Sequence, residues 1–109
     1  MAKQKATSAF VTEVVSLLAE LGDVRAKAMF GGYGLYCGPT FFALIARDRL
    51  YFKVDDDSRG EFAARGTEPF SPAPGKMMKA YYEVPRDVFE SDEELVRWAR
   101  RAVAVAEVS

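Results

Sequence analysis

The stretch Thr40-Phe41-Phe42-Ala43-Leu44-Ile45-Ala46 constrains the fold more than any other part of the chain. Gly38-Pro39 precedes it and the polar Arg47-Asp48-Arg49 follows it, so it reads as a strand between two turns. Successive side chains of a strand point to opposite faces. Phe41, Ala43 and Ile45 are therefore expected on one face, and Phe42, Leu44 and Ala46 on the other. Both faces are apolar. A strand of that kind is either central in its sheet or covered by a partner.

The neighbouring segments supply the rest of a sheet. Gly31-Gly32 is a turn signal between Ala26–Phe30 and Tyr33–Cys37. After the Arg47-Asp48-Arg49 tip, Leu50, Phe52 and Val54 share one face and Tyr51 and Lys53 the other. Residues 77–84 read as a fifth strand that Pro85 ends. Lys79 in that strand marks solvent or a guarded edge.

Helices flank these strands. Phe10, Val14, Leu17, Leu18 and Leu21 recur at helical spacing after a possible cap at Thr7 or Ser8, and Gly22 stops the run. Asp55, Asp56 and Asp57 open a short helix that carries Phe62 and Ala63 inward and ends at Gly66. Ser91 and Glu94 have the spacing of a capping box. Leu95, Trp98, Ala99, Ala102 and Ala106 then make an apolar stripe, with Arg97, Arg100 and Arg101 mostly off it. The order α-β-β-β-β-α-β-α predicts an α+β two-layer sandwich, an antiparallel sheet with helices on one face. One domain is expected over residues 1–109, its ordered core at about 8–106.

Composition narrows the function. The chain has no histidine and a single cysteine, Cys37. His-dependent triads, Cys-His pairs and Cys-rich zinc sites are thereby excluded. Cys37 is expected to be a small buried hydrophobe, and no disulfide points to an oxidising compartment. The three acids at residues 55–57 cap a helix and lack the spacing of a cation loop. Catalytic residues, cofactors and metals are expected to be absent. Net charge is -1, so any grip on nucleic acid is weak and local. No apolar run has the length of a membrane span, and the start, Met1-Ala2-Lys3-Gln4-Lys5, lacks the apolar stretch of a signal peptide. The cytoplasm is the expected location.

The segment Met29-Phe30-Gly31-Gly32-Tyr33-Gly34-Leu35-Tyr36 resembles the signature of the TfoX N-terminal domain family, named for a regulator of bacterial competence. Phe42-Ala43-Leu44-Ile45, Leu50-Tyr51-Phe52-Lys53-Val54, Pro69-Phe70, Tyr81-Tyr82-Glu83-Val84-Pro85 and Trp98-Ala99 follow in the family's order. The resemblance implies a two-layer α+β fold similar to secretion chaperones and YjbR-like proteins, with no catalytic residues and no cofactor. It also implies a regulatory or adaptor role alongside transcription machinery or a separate regulator.

The candidate site residues follow from these readings. The glycines at 31, 32 and 34 serve tight turns better than a phosphate cradle, since neither a P-loop nor a dinucleotide spacing is present. Arg47, Arg49 and Lys53 are the candidate contacts for the alternative function, weak nucleic-acid binding through hairpin tips. A small hydrolase or ligand-binding enzyme is the third and least supported reading. One layer of helices covers one sheet face, so some of Tyr33, Phe42, Leu44 and Tyr51 are expected in water. Phe42, Leu44 and Tyr51 are on that ground the expected interface of a homodimer.

Overall fold

The computed structural model describes residues 8–29 and 31–108, and of Ser8 the backbone alone. Caps at Thr7 or on the Ser8 side chain lie outside the described residues. Helix α1, Ser8–Leu17, runs into a 3-10 turn, Ala19–Leu21, and Gly22 ends it with φ 120°. Strands β1 (Val24–Met29), β2 (Gly32–Cys37), β3 (Thr40–Ala46) and β4 (Arg49–Lys53) form a meander. Helix α2 (Asp56–Ala64), the short strand β5 (Pro69–Phe70), strand β6 (Met78–Glu83), the one-turn helix α3 (Arg86–Phe89) and helix α4 (Asp92–Glu107) follow. The sheet is antiparallel, in the order β1-β2-β3-β4-β6-β5. The expected class holds. The structure adds β5 and α3, both too short to carry a periodic signal.

Local chemistry sets the element ends. Asp55 caps α2 reciprocally: its carboxylate accepts the Ser58 N–H at 2.8 Å, and the Ser58 hydroxyl accepts the Asp55 N–H at 3.0 Å. At α4 only half of the expected box forms. The Ser91 hydroxyl accepts the Glu94 N–H at 3.3 Å, but the Glu94 carboxylate turns to Arg97 at 2.6 and 2.7 Å. A charged donor outcompetes a neutral backbone N–H for a carboxylate. The β3–β4 tip uses Arg47 and Asp48 with φ of 53° and 60°, as a two-residue hairpin turn of that hand requires.

Leu35, Phe42, Ala43, Ile45, Leu50 and Phe52 of the sheet, with Val54 just past β4, meet Val14, Phe62, Val88, Leu95 and Ala99 of the helices and Leu18 just past α1 in one hydrophobic core. On α4 the buried stripe is Leu95, Val96, Trp98, Ala99, Ala102 and Val105. All of these helical side chains enter the core from one side of the sheet. We call that the helix side and the other the open side.

The phase of β3 differs from expectation at one residue. Leu35 pairs with Ala43, but Tyr36 pairs with Phe41, so Phe42 is an extra residue in β3. Such a bulge breaks the alternation of faces. Phe42 and Ala43 both enter the helix-side core, each fully buried. Phe41 swings to the open side and stacks on Tyr36 at 5.2 Å. The assignment of Phe42 to the face of Leu44 is therefore corrected, and with it the place of Phe42 in a dimer interface. Tyr33 pairs with Ile45 and packs against the same helix-side core, so it also leaves the open side.

Candidate functional site

The open side of the sheet carries its own layer of aromatic rings. Register assigns it Arg25, Lys27 and Met29 from β1, and Gly32, Gly34 and Tyr36 from β2. From β3 come Phe41 and Leu44, from β4 Tyr51 and Lys53, and from β6 Tyr81 and Glu83. Tyr36, Phe41 and Tyr81 form a continuous row, with ring centres 5.2 and 5.8 Å apart. Phe70 of β5 meets Tyr51 edge-on at 5.1 Å. The segment beginning at Pro69 thus covers part of this face, and no helix of the described residues packs on the rest. Tyr36, Phe41, Leu44, Tyr51 and Phe70 are half-buried, whereas Tyr81 is buried.

Two glycines of β2 are closely approached, Gly34 by this layer and Gly32 by the β3 backbone. A methyl group at Gly34 would sit 2.7 Å from Met29 Cε and 2.8 Å from Phe41 Cε1, so the bare backbone there is the floor on which those side chains rest. At Gly32 a methyl group would collide with the Ile45 carbonyl oxygen. The expected turn at residues 31–32 closes one residue earlier, with Gly31 at φ 78° and Gly32 already in β2. Both Gly32 and Gly34 are paired within the ladder, which accounts for the cluster without a bound phosphate. Phe30 lies outside the described residues.

Burial raises the phenol pKa of Tyr51, and the neighbouring Glu83 carboxylate raises it further. Burial raises Tyr81 as well, with Tyr36 adding to it. Lys53 Nζ lies 5.1 Å from the centre of the Tyr81 ring. Arg49 is bound to Glu83 at 3.1 Å. Lys27 and Lys53 have no ion pair among the described residues, so the open side has a net basic border.

The other expected contacts separate. Arg47 sits on the hairpin tip, Arg49 is neutralised by Glu83, and Lys53 stands at the far end of β4. Tyr82 and Pro85 belong to the helix side: Tyr82 packs on Phe62 at 6.3 Å, and buried Pro85 opens α3. Trp98 lies edge-on to Phe62 at 4.9 Å, with Arg65 and Arg101 each 5.3 Å from its ring centre. Those arginines pair with Asp87 and Glu61, both at 2.8 Å. Cys37 is half-buried against the core and its thiol points to the Leu21 carbonyl at 3.7 Å. Sequence reasoning missed Phe41 and Phe70 as members of the site. Phe41 was hidden by the bulge, and Phe70 by a strand of 2 residues.

Among the described residues, no group of three or more Cys, Asp or Glu side chains could hold a metal ion. No helix of the described residues is long and apolar enough to cross a membrane.

Six antiparallel strands with helices on one side define a two-layer α+β domain whose second sheet face is an aromatic surface. The family model of the TfoX N-terminal domain matches residues 16–106, and the chain belongs to that family. A comparison with curated proteins gave no significant match.

Proposed function

We propose that the chain is a non-enzymatic regulatory or adaptor module of the cytoplasm that acts through protein contacts made by the open side of its sheet. The observation that carries this reading is the aromatic row Tyr36–Phe41–Tyr81, half-buried in part and bordered by Lys27 and Lys53. Aromatic rings give large contact area at low cost in conformational entropy. The border of lysines favours a partner surface that is apolar at its centre and acidic at its rim. Membership of the family supports the regulatory role, with transcription machinery or a separate regulator as the partner.

The test is transcription measured across the genome in cells that lack the chain and are complemented with wild type or Leu44→Lys. A defined set of transcripts should follow the wild type and fail with the variant, while both proteins are folded. Unchanged transcripts on deletion would sink the reading. Sedimentation equilibrium at micromolar concentration decides whether a second copy is the partner. A dimer that Leu44→Lys dissociates puts a second copy on this face, and a monomer leaves the face to another protein. Tight, steeply salt-dependent retention on duplex DNA would support nucleic-acid binding instead.

A further inference from the structure

We propose that β1 is a docking edge for an extended acidic segment of the partner, which adds to the sheet as a further antiparallel strand. This deepens the reading above and rests on it. The two edges of the sheet differ sharply. The β5 edge is a strand of 2 residues that begins at Pro69 and has an irregular register with β6. The β1 edge is a strand of 6 residues without proline, paired with β2 over its whole length without a bulge. Short, irregular edges with proline repel further strands, and long regular ones accept them.

The backbone of β1 has a defined outward set of groups. The Gly38 N–H donates to the Asp23 carbonyl at 2.8 Å, which fixes the phase of the ladder. Inward bonding then alternates along an antiparallel strand. Arg25, Lys27 and Met29 bond toward β2, while the N–H and C=O groups of Ala26 and Ala28 point away from the sheet. Both alanines are exposed, and no strand of the described residues lies beyond them. Their methyl groups leave the approach clear.

The side chains then select the occupant. Arg25 and Lys27 are exposed on the open side and flank a shallow depression that Tyr36 floors. Lys27 has no ion pair among the described residues, and exposed Arg25 donates to the Gly38 carbonyl at 3.1 Å and makes a loose contact with exposed Asp23 at 3.6 Å. Suppose a second copy extended the sheet with both helix layers on one side. In fully overlapping registers Arg25 would face Lys27, or Lys27 would face its own copy. Like charges directly opposite one another are destabilising. A strand with acids at alternate positions reverses that sign, and its intervening side chains lie over the small alanines. Backbone pairing supplies the affinity and the alternate acids supply the selection.

The test uses the full chain and a fluorescent peptide of about eight residues that alternates glutamate and valine, enough to span β1. Anisotropy should show saturable binding, with amide shifts concentrated at residues 24–29. The same peptide with lysine for glutamate should bind at least about tenfold more weakly. Ala26→Pro removes an outward N–H at an edge where proline is tolerated. It should keep the native circular dichroism and lose at least about tenfold in binding. If it does not fold, Lys27→Glu decides, since that exposed variant should weaken the acidic peptide and strengthen the lysine one. No binding to wild type, equal binding of both peptides, or full binding by folded Ala26→Pro each overturn the proposal. Should the peptide fail while Leu44→Lys still abolishes the transcript response, the edge inference falls and the protein-contact function stands.

Discussion

On the helix side of the sheet, Phe42, Phe52, Leu35 and Leu95 are fully buried, and apolar side chains of α1, α2, α3 and α4 meet them there. On the open side the rings shelter one another, Tyr36 stacking on Phe41, Phe41 meeting Tyr81 and Phe70 meeting Tyr51, and Tyr36, Phe41 and Tyr51 stay half-buried. The same strands build both layers. The difference lies in who supplies the second half of each contact. The helix side is completed within the chain and so sets stability. The open side has apolar area still available, and so it is where a partner gains most from burial.

Substitutions that match in chemistry and differ only in face give the strongest test of this contrast. Phe42→Ala leaves a cavity in a hydrophobic core and should cost about 3–5 kcal/mol in urea unfolding. Phe41→Ala, one residue away, removes a half-buried ring and should cost about 1–2 kcal/mol. Equal losses would erase the distinction between the faces, and a larger loss for Phe41 would reverse it.

A smaller effect is expected for Leu44→Lys. Its side chain lies on the open side and is half-buried, so the thermal midpoint should fall by no more than about 1 kcal/mol of stability implies. Loss of the transcript response with that small change in stability would place function on this face. An unfolded variant would move Leu44 into the structural core.

Titration should separate the faces by direction, with the smallest magnitudes. The carboxylates held below their ordinary pKa lie on the helical layer. Asp55 is lowered by the Ser58 backbone N–H, Glu61 by its hydrogen bond from Arg101, and Glu94 by its hydrogen bond from Arg97. Their contribution is complete above the ordinary carboxylate value and is lost as pH falls through the lowered ones. The raised phenols, Tyr51 and Tyr81, lie on the open side. Their contribution is complete below about pH 10 and is lost as pH rises through the raised values. The thermal midpoint should therefore decline at both extremes. Tyr51→Phe and Tyr81→Phe should each reduce the alkaline decline alone, together with one tyrosine's share of the phenolate absorbance that appears above about pH 10. Loss of the acid decline in either variant would contradict the separation.

Much of this arrangement was legible in the residues. The alternation in Leu50–Val54 placed Phe52 inward and Tyr51 outward, and Ser91 marked the start of α4. The acids at residues 55–57 marked α2, and the motif around Gly31–Tyr36 gave the family. What was not legible has a common physical origin. Alternation assumes a regular ladder, and one inserted residue, Phe42, exchanged the faces of the residues before it. The partner of the Glu94 carboxylate depended on competition between two nearby donors. Phe70 found Tyr51 across a gap in sequence that no local period spans.

The strand order also governs how the chain assembles. The meander β1 to β4 is built from neighbours in sequence, so it closes by short loops early in synthesis. Strand β6, which seals the far side of β4, comes only after α2 and the Pro69–Gly75 region, and α4 comes later still. Until then β4 is a bare edge, and Phe42, Phe52 and Val54 lack the helix that will cover them. A ribosome-bound chain at that stage presents an unsealed sheet with one apolar face, the kind of species that aggregates or recruits chaperones. Solubility of the nascent protein thus depends on α4, and changes to the Leu95–Val105 stripe should show first as poor yield of soluble chain.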